Sequence, residues 1–283
     1  MSLPLDDRIE WLEADGLGGF ASGTACGYRT RRYHGLLLAA ATPPTNRFML
    51  VNGVDATLER DGESFGLTSQ MYDPGVISPR GALQLQSFSN DPWPRWVMRL
   101  PNGDEVIHEL FVPRGAPVVV LSWKLIPRSL TPAKLSVRPF FSGRDYHALH
   151  HENDAFRFEP SEAGTAVRWS PYPGVPSVLA TSNGAYRHEP DWYRAFLYRQ
   201  ERERGFDACE DLAAPGIFEF DLAHGEAVLV LSADTPGLPA EFTSRPATRL
   251  IADLRARERA RRAELDNPLD RAADGYIVRR GKG

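Results

Sequence analysis

From Tyr33 to about Asp234 the sequence breaks every few residues into a new short run of β-branched and aromatic side chains, and the breaks are made of glycine, proline, asparagine and aspartate. Runs of that length and composition read as strands. "APVVVLSWKL", "AKLSVRPFF", "AFRFEP" and "TAVRWSP" are of this kind, and 23 prolines among 283 residues leave little room for long helices. Three turns can be placed. Asn52-Gly53, inside "RFMLVNGVDATL", is the dipeptide that suits a two-residue hairpin; Pro101 to Asp104 separates "RWVMRL" from "EVIHELFV"; and His224-Gly225 separates Phe218, Phe220 and Leu222 from the fully apolar run Val228 to Leu231. Strands this short bury their faces only against a second layer. The sequence therefore predicts an all-β fold, a large two-sheet antiparallel β-sandwich of supersandwich-like size.

One region changes period. After Ser244, which reads as an N-cap, Ala247, Leu250, Ile251 and Leu254 fall on one helical face, and "RARERARRAE" then loses the apolar stripe. A helix amphipathic in its first half and polar in its second is expected to leave its domain and project outward as a linker. The stretch after it, "LDNPLDRAADGYIVRRGKG", is too short to bury a core of its own.

A net charge of −4 argues against a nucleic-acid partner, whose affinity rests on a basic surface. No run approaches the length of a membrane span, and the acidic pair in "MSLPLDDRIEW" replaces the positive region of a signal peptide. Cys26 and Cys209 supply neither a disulfide framework nor zinc-ligand spacing. These features predict a cytoplasmic protein with reduced thiols.

The stretch "ADGLGGFASG" formally contains the dinucleotide pattern G-x-G-x-x-A from Gly16 to Ala21. Its context fails the pattern. The segment before it is only half apolar, the segment after it carries Gly23, Gly27, Thr24 and Thr30 where a helix is required, and "LLLAAATPP" holds no acid for a ribose. Gly16, Gly18, Gly19 and Gly23 are read instead as a structural turn.

Two clusters carry candidate chemistry. Arg31, Arg32, Tyr33 and His34 place two cations, a phenol and an imidazole in four residues; if they begin a strand, Arg31 and Tyr33 share one face and Arg32 and His34 the other. An arginine fork beside an aromatic ring suits sugar hydroxyls or a carboxylate, and equally suits a contact between domains. The second cluster is Arg144, Asp145, Tyr146 and His147, which opens "RDYHALHH". On a helix, His147, His150 and His151 would share a face and hold a metal, but no apolar run anchors such a helix, and no metal is expected. Trp93, Trp96, Trp169 and Trp192 are expected to be mostly core on area grounds. No nucleophile motif is present, and no catalytic residue is assigned.

"EWLEADGLGGFASGTACGYRTRRYHGLL" (residues 10–37) resembles the N-terminal domain of the bacterial and archaeal glycogen debranching enzyme family, through its Gly-Leu-Gly-Gly and Arg-Arg-Tyr-His-Gly elements. "RPFFSGRDYHALHHEN", "WYRAFLYRQERERGFDACEDLAAPGIFEF" and "AADGYIVRRGKG" extend the resemblance over nearly the whole chain. The resemblance implies a β-sandwich over residues 1–243. It also implies that residues 244–283 form a linker helix and the start of an (α/α)6 catalytic domain, an amylo-α-1,6-glucosidase whose carboxylates lie beyond this chain. No cofactor is implied. The implied partners are that domain and a branched α-glucan, with a stand-alone glucan-binding module and a self-contained glycosidase as the alternatives.

Overall fold

The computed structural model describes residues 7–129, 131–236, 238–265 and 267–280. The first six residues, part of the stretch read against a signal peptide, and the final Gly281-Lys282-Gly283 lie outside the described residues.

The chain opens with the hairpin β1 (Glu10–Ala14) and β2 (Phe20–Thr24), followed by β3 (Gly35–Thr42) and the long β4 (Thr45–Arg60). Five short strands come next: β5 (Glu63–Gly66), β6 (Ser69–Tyr72), β7 (Val76–Arg80), β8 (Leu85–Ser89) and β9 (Arg95–Arg99). Then follow β10 (Glu105–Phe111), β11 (Val118–Ile126), β12 (Ala133–Asp145), β13 (Pro160–Ala163), β14 (Ala166–Trp169) and β15 (Ser177–Ser182). After β16 (Ala185–Leu197), helix α1 (Arg199–Glu203) leads into β17 (Cys209–Asp221) and β18 (Ala227–Asp234). Helices α2 (Glu241–Ser244), α3 (Ala247–Ala263) and α4 (Pro268–Tyr276) close the chain.

The strands form the expected two antiparallel sheets. The 10-stranded sheet runs β1-β2-β3-β4-β12-β17-β16-β6-β7 with β5 on β4, and the 8-stranded sheet runs β13-β14-β15-β18-β11-β10-β9-β8. Between them lies one core, to which β11 contributes Val119, Leu121 and Trp123 while β18 contributes Leu229 and Leu231. The alternate residues of the same strands, Val118, Val120, Val228 and Val230, are buried on the opposite face under Ala247, Leu250, Ile251 and Leu254 of α3. This double burial explains why β11 and β18 read as continuous apolar runs.

Turns at Pro101 to Asp104 and at His224-Gly225 fall between strands as read. The Asn52-Gly53 turn does not form. Both residues lie inside β4, and the pairing with β12 passes from Phe140↔Gly53 to Phe141↔Val51, leaving Asn52 as the extra residue of a bulge. Residues 155–159 of "AFRFEP" also stand outside any strand, with β13 starting at Pro160.

The C-terminal helix differs from expectation at both ends. Ser244 closes α2, its hydroxyl donating to the Ala240 carbonyl at 2.8 Å, and Pro246 occupies the cap of α3 without a side-chain hydrogen bond. The polar half does not project away. Arg262 forms a two-pronged pair with Glu13 of β1 (Nη2 to Oε2 2.5 Å, Nη1 to Oε1 3.0 Å), and buried Glu258 accepts from the Arg114 backbone at 2.9 Å. Ion pairs replace the apolar stripe as the docking contact, a substitution that hydrophobic periodicity does not register.

Against the core tryptophans, His108 of β10 is stacked between Trp96 and Trp123, with ring centroids 5.0 and 4.7 Å apart. Its Nδ1 lies 2.9 Å from the Ser122 carbonyl. Burial lowers its pKa to about 4, the hydrogen bond to Ser122 opposing only in part, so the ring is neutral at pH 7. The unfolded chain binds this proton near pH 6.5 and the folded chain near pH 4. The stabilising contribution of the neutral ring is thus full above pH 6.5 and is lost as the pH falls toward 4. The fall in melting temperature between pH 7 and pH 5 is expected to be shallower in His108→Asn than in the unmodified chain, and equal slopes would show that the ring does not titrate with unfolding.

Candidate functional site

A polar part of the interior is built around Glu210 of β17. Its alternation with Cys209 and Asp211, both half-buried, turns it inward on the same side as Leu212. A buried carboxylate needs compensation, and four residues supply it. Arg144, from the end of β12, donates Nε to Oε2 at 2.8 Å and Nη2 to Oε1 at 3.4 Å. Asn52, the bulge residue of β4, donates to Oε1 at 2.9 Å, the Tyr198 hydroxyl donates to Oε1, and the His150 backbone N–H reaches Oε2 at 3.2 Å. Burial alone would lower the Arg144 pKa, but the charge of Glu210 and its hydrogen bonds raise it. Tyr198 is held protonated by burial first and by the neighbouring Glu210 charge second.

Arg144 then organises the surface above. Its Nη2 donates to the Arg32 carbonyl at 2.6 Å, and its Nη1 lies 3.3 and 3.2 Å from the carbonyls of Asp145 and Tyr146. Arg32 donates to the His147 carbonyl at 2.9 Å and the Asp207 carbonyl at 3.1 Å, and its backbone N–H reaches Glu201 of α1 at 3.2 Å. The Tyr33 hydroxyl meets His147 Nδ1 at 3.1 Å, and the Asp145 carboxylate accepts from the His147 backbone at 2.9 Å. The rings of Tyr33, Tyr146 and His147 gather within 3.7 to 6.0 Å, and Arg47 of β4 lies over Tyr146 at 4.1 Å, its Nη2 donating to the Tyr146 hydroxyl. The result is a partly exposed aromatic and guanidinium surface on a fixed ionic base.

The two sequence clusters therefore meet through Arg32, Tyr33, Arg144, Asp145, Tyr146 and His147. Arg31 and His34 turn the other way. Both reach Glu10 of β1, Arg31 Nε at 2.6 Å and His34 Nε2 at 3.5 Å. The face assignment made for a strand fails because residues 31–33 form a turn, closed by the His34 N–H donating to the Arg31 carbonyl at 3.1 Å. His34 accepts from the Thr30 N–H at 3.1 Å; burial brings its pKa down to about 4, with Arg31 and Arg29 assisting and Glu10 opposing.

"RDYHALHH" is not helical, so its histidines do not share a face. His147 lies in the surface cluster, His151 is exposed, and His150 is buried with Nδ1 2.8 Å from the Asp211 carbonyl and Nε2 2.7 Å from the Tyr172 hydroxyl. Trp93, Trp96 and Trp169 are core residues, while Trp192 is partly buried and stacks on His150. Gly16, Gly18 and Gly19 occupy the turn between β1 and β2, whereas Gly23 lies within β2. No helix follows that turn. The residues missed by sequence reasoning are Glu210, Asn52, Tyr198 and Arg47. A signal existed for Glu210, an acid in phase with the buried Leu212 of its strand.

The family model described as glycogen debranching enzyme N terminal matches residues 9–229. Among solved structures, that of a bacterial glucoamylase complexed with acarbose is similar with a TM-score of 0.43 and 9% identity, over 95% of this chain and 37% of that one. This chain thus spans little more than a third of that protein's length. No curated protein matches the chain.

Proposed function

The chain belongs to the glycogen debranching enzyme N-terminal family, and from that membership we propose that it is the non-catalytic β-sandwich of an α-1,6-glucosidase acting on branched α-glucans. Residues 1–243 form the sandwich in this reading, and residues 244–283 lead toward an (α/α)6 catalytic domain that the sandwich supports. The observation that carries it is the surface of Tyr33, Tyr146, His147, Arg32 and Arg47, with aromatic faces and guanidinium donors held by Arg144 and Glu210 rather than by a mobile loop. Such a surface is suited to a partner that needs a fixed platform, either the neighbouring domain or a glucan strand.

The alternative of a stand-alone glucan-binding module is favoured by the same half-exposed rings, since tyrosine faces stack on pyranoses. Calorimetry with maltoheptaose separates the two. The supporting role predicts no binding in the millimolar range by this chain, together with slowed amide exchange at residues 31–34 and 145–148 when the catalytic domain is covalently present. Millimolar or tighter binding by the chain alone would favour the module. Release of glucose from a limit dextrin by the chain alone would overturn the non-catalytic reading.

A further inference from the structure

A second polar feature lies between the sheets and shares Asn52 with the ionic base of the surface just described. A cavity of about 90 Å³ is lined by the end of β2, the middle of β4, the strands β6, β9 and β10, and the turn at Gly81–Gln84. Its walls are mainly apolar, with Trp11, Trp96 and Met98 prominent, yet Ser22, Thr24, Thr68 and His108 also line it, together with three long polar side chains, Arg29, Asn52 and Gln70. Arg29 is 8% exposed, Gln70 2% and Asn52 1%.

Each of the three has an unused group. Arg29 Nε, Asn52 Oδ1 and Gln70 Oε1 are buried without a hydrogen-bond partner among the described residues. The amide nitrogens of the other two are engaged, Asn52 on Glu210 and Gln70 on the Val54 carbonyl at 2.9 Å, which leaves their carbonyl oxygens as acceptors. The Arg29 guanidinium lies over the Phe196 ring at 5.0 Å and against the bare backbone of Gly53, where a β-carbon would fall 2.1 Å from Nη1. No carboxylate among the described residues forms an ion pair with it. The nearby Glu210 is already divided among Arg144, Asn52 and Tyr198.

A desolvated cation without a counter-charge is costly, and buried acceptors left unmatched add to the cost. An anion in the cavity would supply the counter-charge that Arg29 lacks. We propose that the cavity is a binding site for a small organic anion, with its acidic group on the terminal nitrogens of the Arg29 guanidinium. The volume has room for a few non-hydrogen atoms, on the scale of several water molecules at roughly 10–15 Å³ each. Three-carbon hydroxy acids and the phosphate monoesters of three-carbon polyols are of that class. A glucan chain is not, so this site is separate from the surface cluster.

The test uses the 283-residue chain with glycerate, glycerol 3-phosphate and neutral glycerol, followed by calorimetry and by thermal shift. Saturable one-to-one binding of at least one anion, with a raised melting temperature and no response to glycerol, is expected. Stronger binding of glycerate assigns a carboxylate ligand, and stronger binding of the ester assigns a phosphate. Arg29→Gln should weaken binding roughly tenfold to a hundredfold, the range of a lost charge-assisted pair. If that variant does not fold, Ala82→Val, which narrows the cavity from the Gly81–Gln84 turn, should abolish binding while leaving Arg29 in place. Silence toward both anions, with ordered water only in the cavity, would overturn the proposal. So would equal binding of glycerol and the anions, or undiminished binding by Ala82→Val.

Discussion

Glu210→Ala is expected to cost about 3–5 kcal/mol of folding stability, the range for removing one partner of a buried ion pair and leaving the other charged. Arg144 is the charge left behind. Its side chain is 3% exposed in the pair and that of Glu210 is not exposed at all, so water cannot replace the carboxylate without a rearrangement of the strands. The alanine also leaves Asn52 Nδ2, the Tyr198 hydroxyl and the His150 N–H without their acceptor. Glu210→Gln retains an acceptor oxygen for part of this group and should recover a fraction of the loss. Urea unfolding followed by tryptophan fluorescence measures both variants. A loss below about 1 kcal/mol for the alanine variant would place the pair among weak, solvent-screened contacts and remove the rigid base assigned to the surface cluster. The second readout is local: with Arg144 released from Glu210, amide exchange at residues 145–148 should rise more than elsewhere in the sandwich.

The contrast between Glu210 and Asn52 shows how far the sequence could be read. Alternation in "FEFD", the continuous apolar run "VLVL", and the turns at Pro101 to Asp104 and His224-Gly225 are set by local chemistry, and local chemistry is what a sequence displays. Asn52-Gly53 has the same local chemistry as a hairpin turn, yet two long-range demands override it. Glu210, 158 residues away, needs the Asn52 amide, and Arg29 needs the absence of a β-carbon at Gly53. The cluster around Tyr33 was half legible for the same reason. Its composition announced recognition chemistry, but the division between Arg32 with Tyr33 and Arg31 with His34 depends on where Glu10, Glu201 and His147 arrive in space. The polar half of α3 departs from the expected outward course because Arg262 pairs with Glu13 of β1 and Glu258 accepts from the Arg114 backbone, and contacts with distant segments have no period along the chain.

The glycines of the first turn lead to the second large effect. Gly18→Ala is expected to destabilise the chain by about 2–3 kcal/mol, near the upper end of what a strained backbone position costs, because two penalties act together. Gly18 has φ +103°, where an L side chain is strained whatever the space around it, and its β-carbon would come within 2.5 Å of the Pro44 carbonyl oxygen and 2.8 Å of the Pro44 Cα. Backbone atoms cannot swing aside as a flexible side chain does. Gly27 separates the two penalties, since it has φ +85° with no atom within 4 Å of the added carbon, so Gly27→Ala should cost only about 1 kcal/mol through conformation alone. The turn is also where the far end of the chain is fastened: the Gly16 carbonyl accepts from the Arg279 N–H at 2.8 Å, and Arg114 holds the Asp274 carbonyl at 2.7 Å. Distortion at Gly18 should therefore loosen residues 274–279 before the sandwich unfolds, visible as faster amide exchange there at temperatures well below the transition. Equal stability losses for Gly18→Ala and Gly27→Ala, with the tail unaffected, would mean that the β1–β2 turn yields without strain. The contact with Pro44 would then not be what requires glycine at this position.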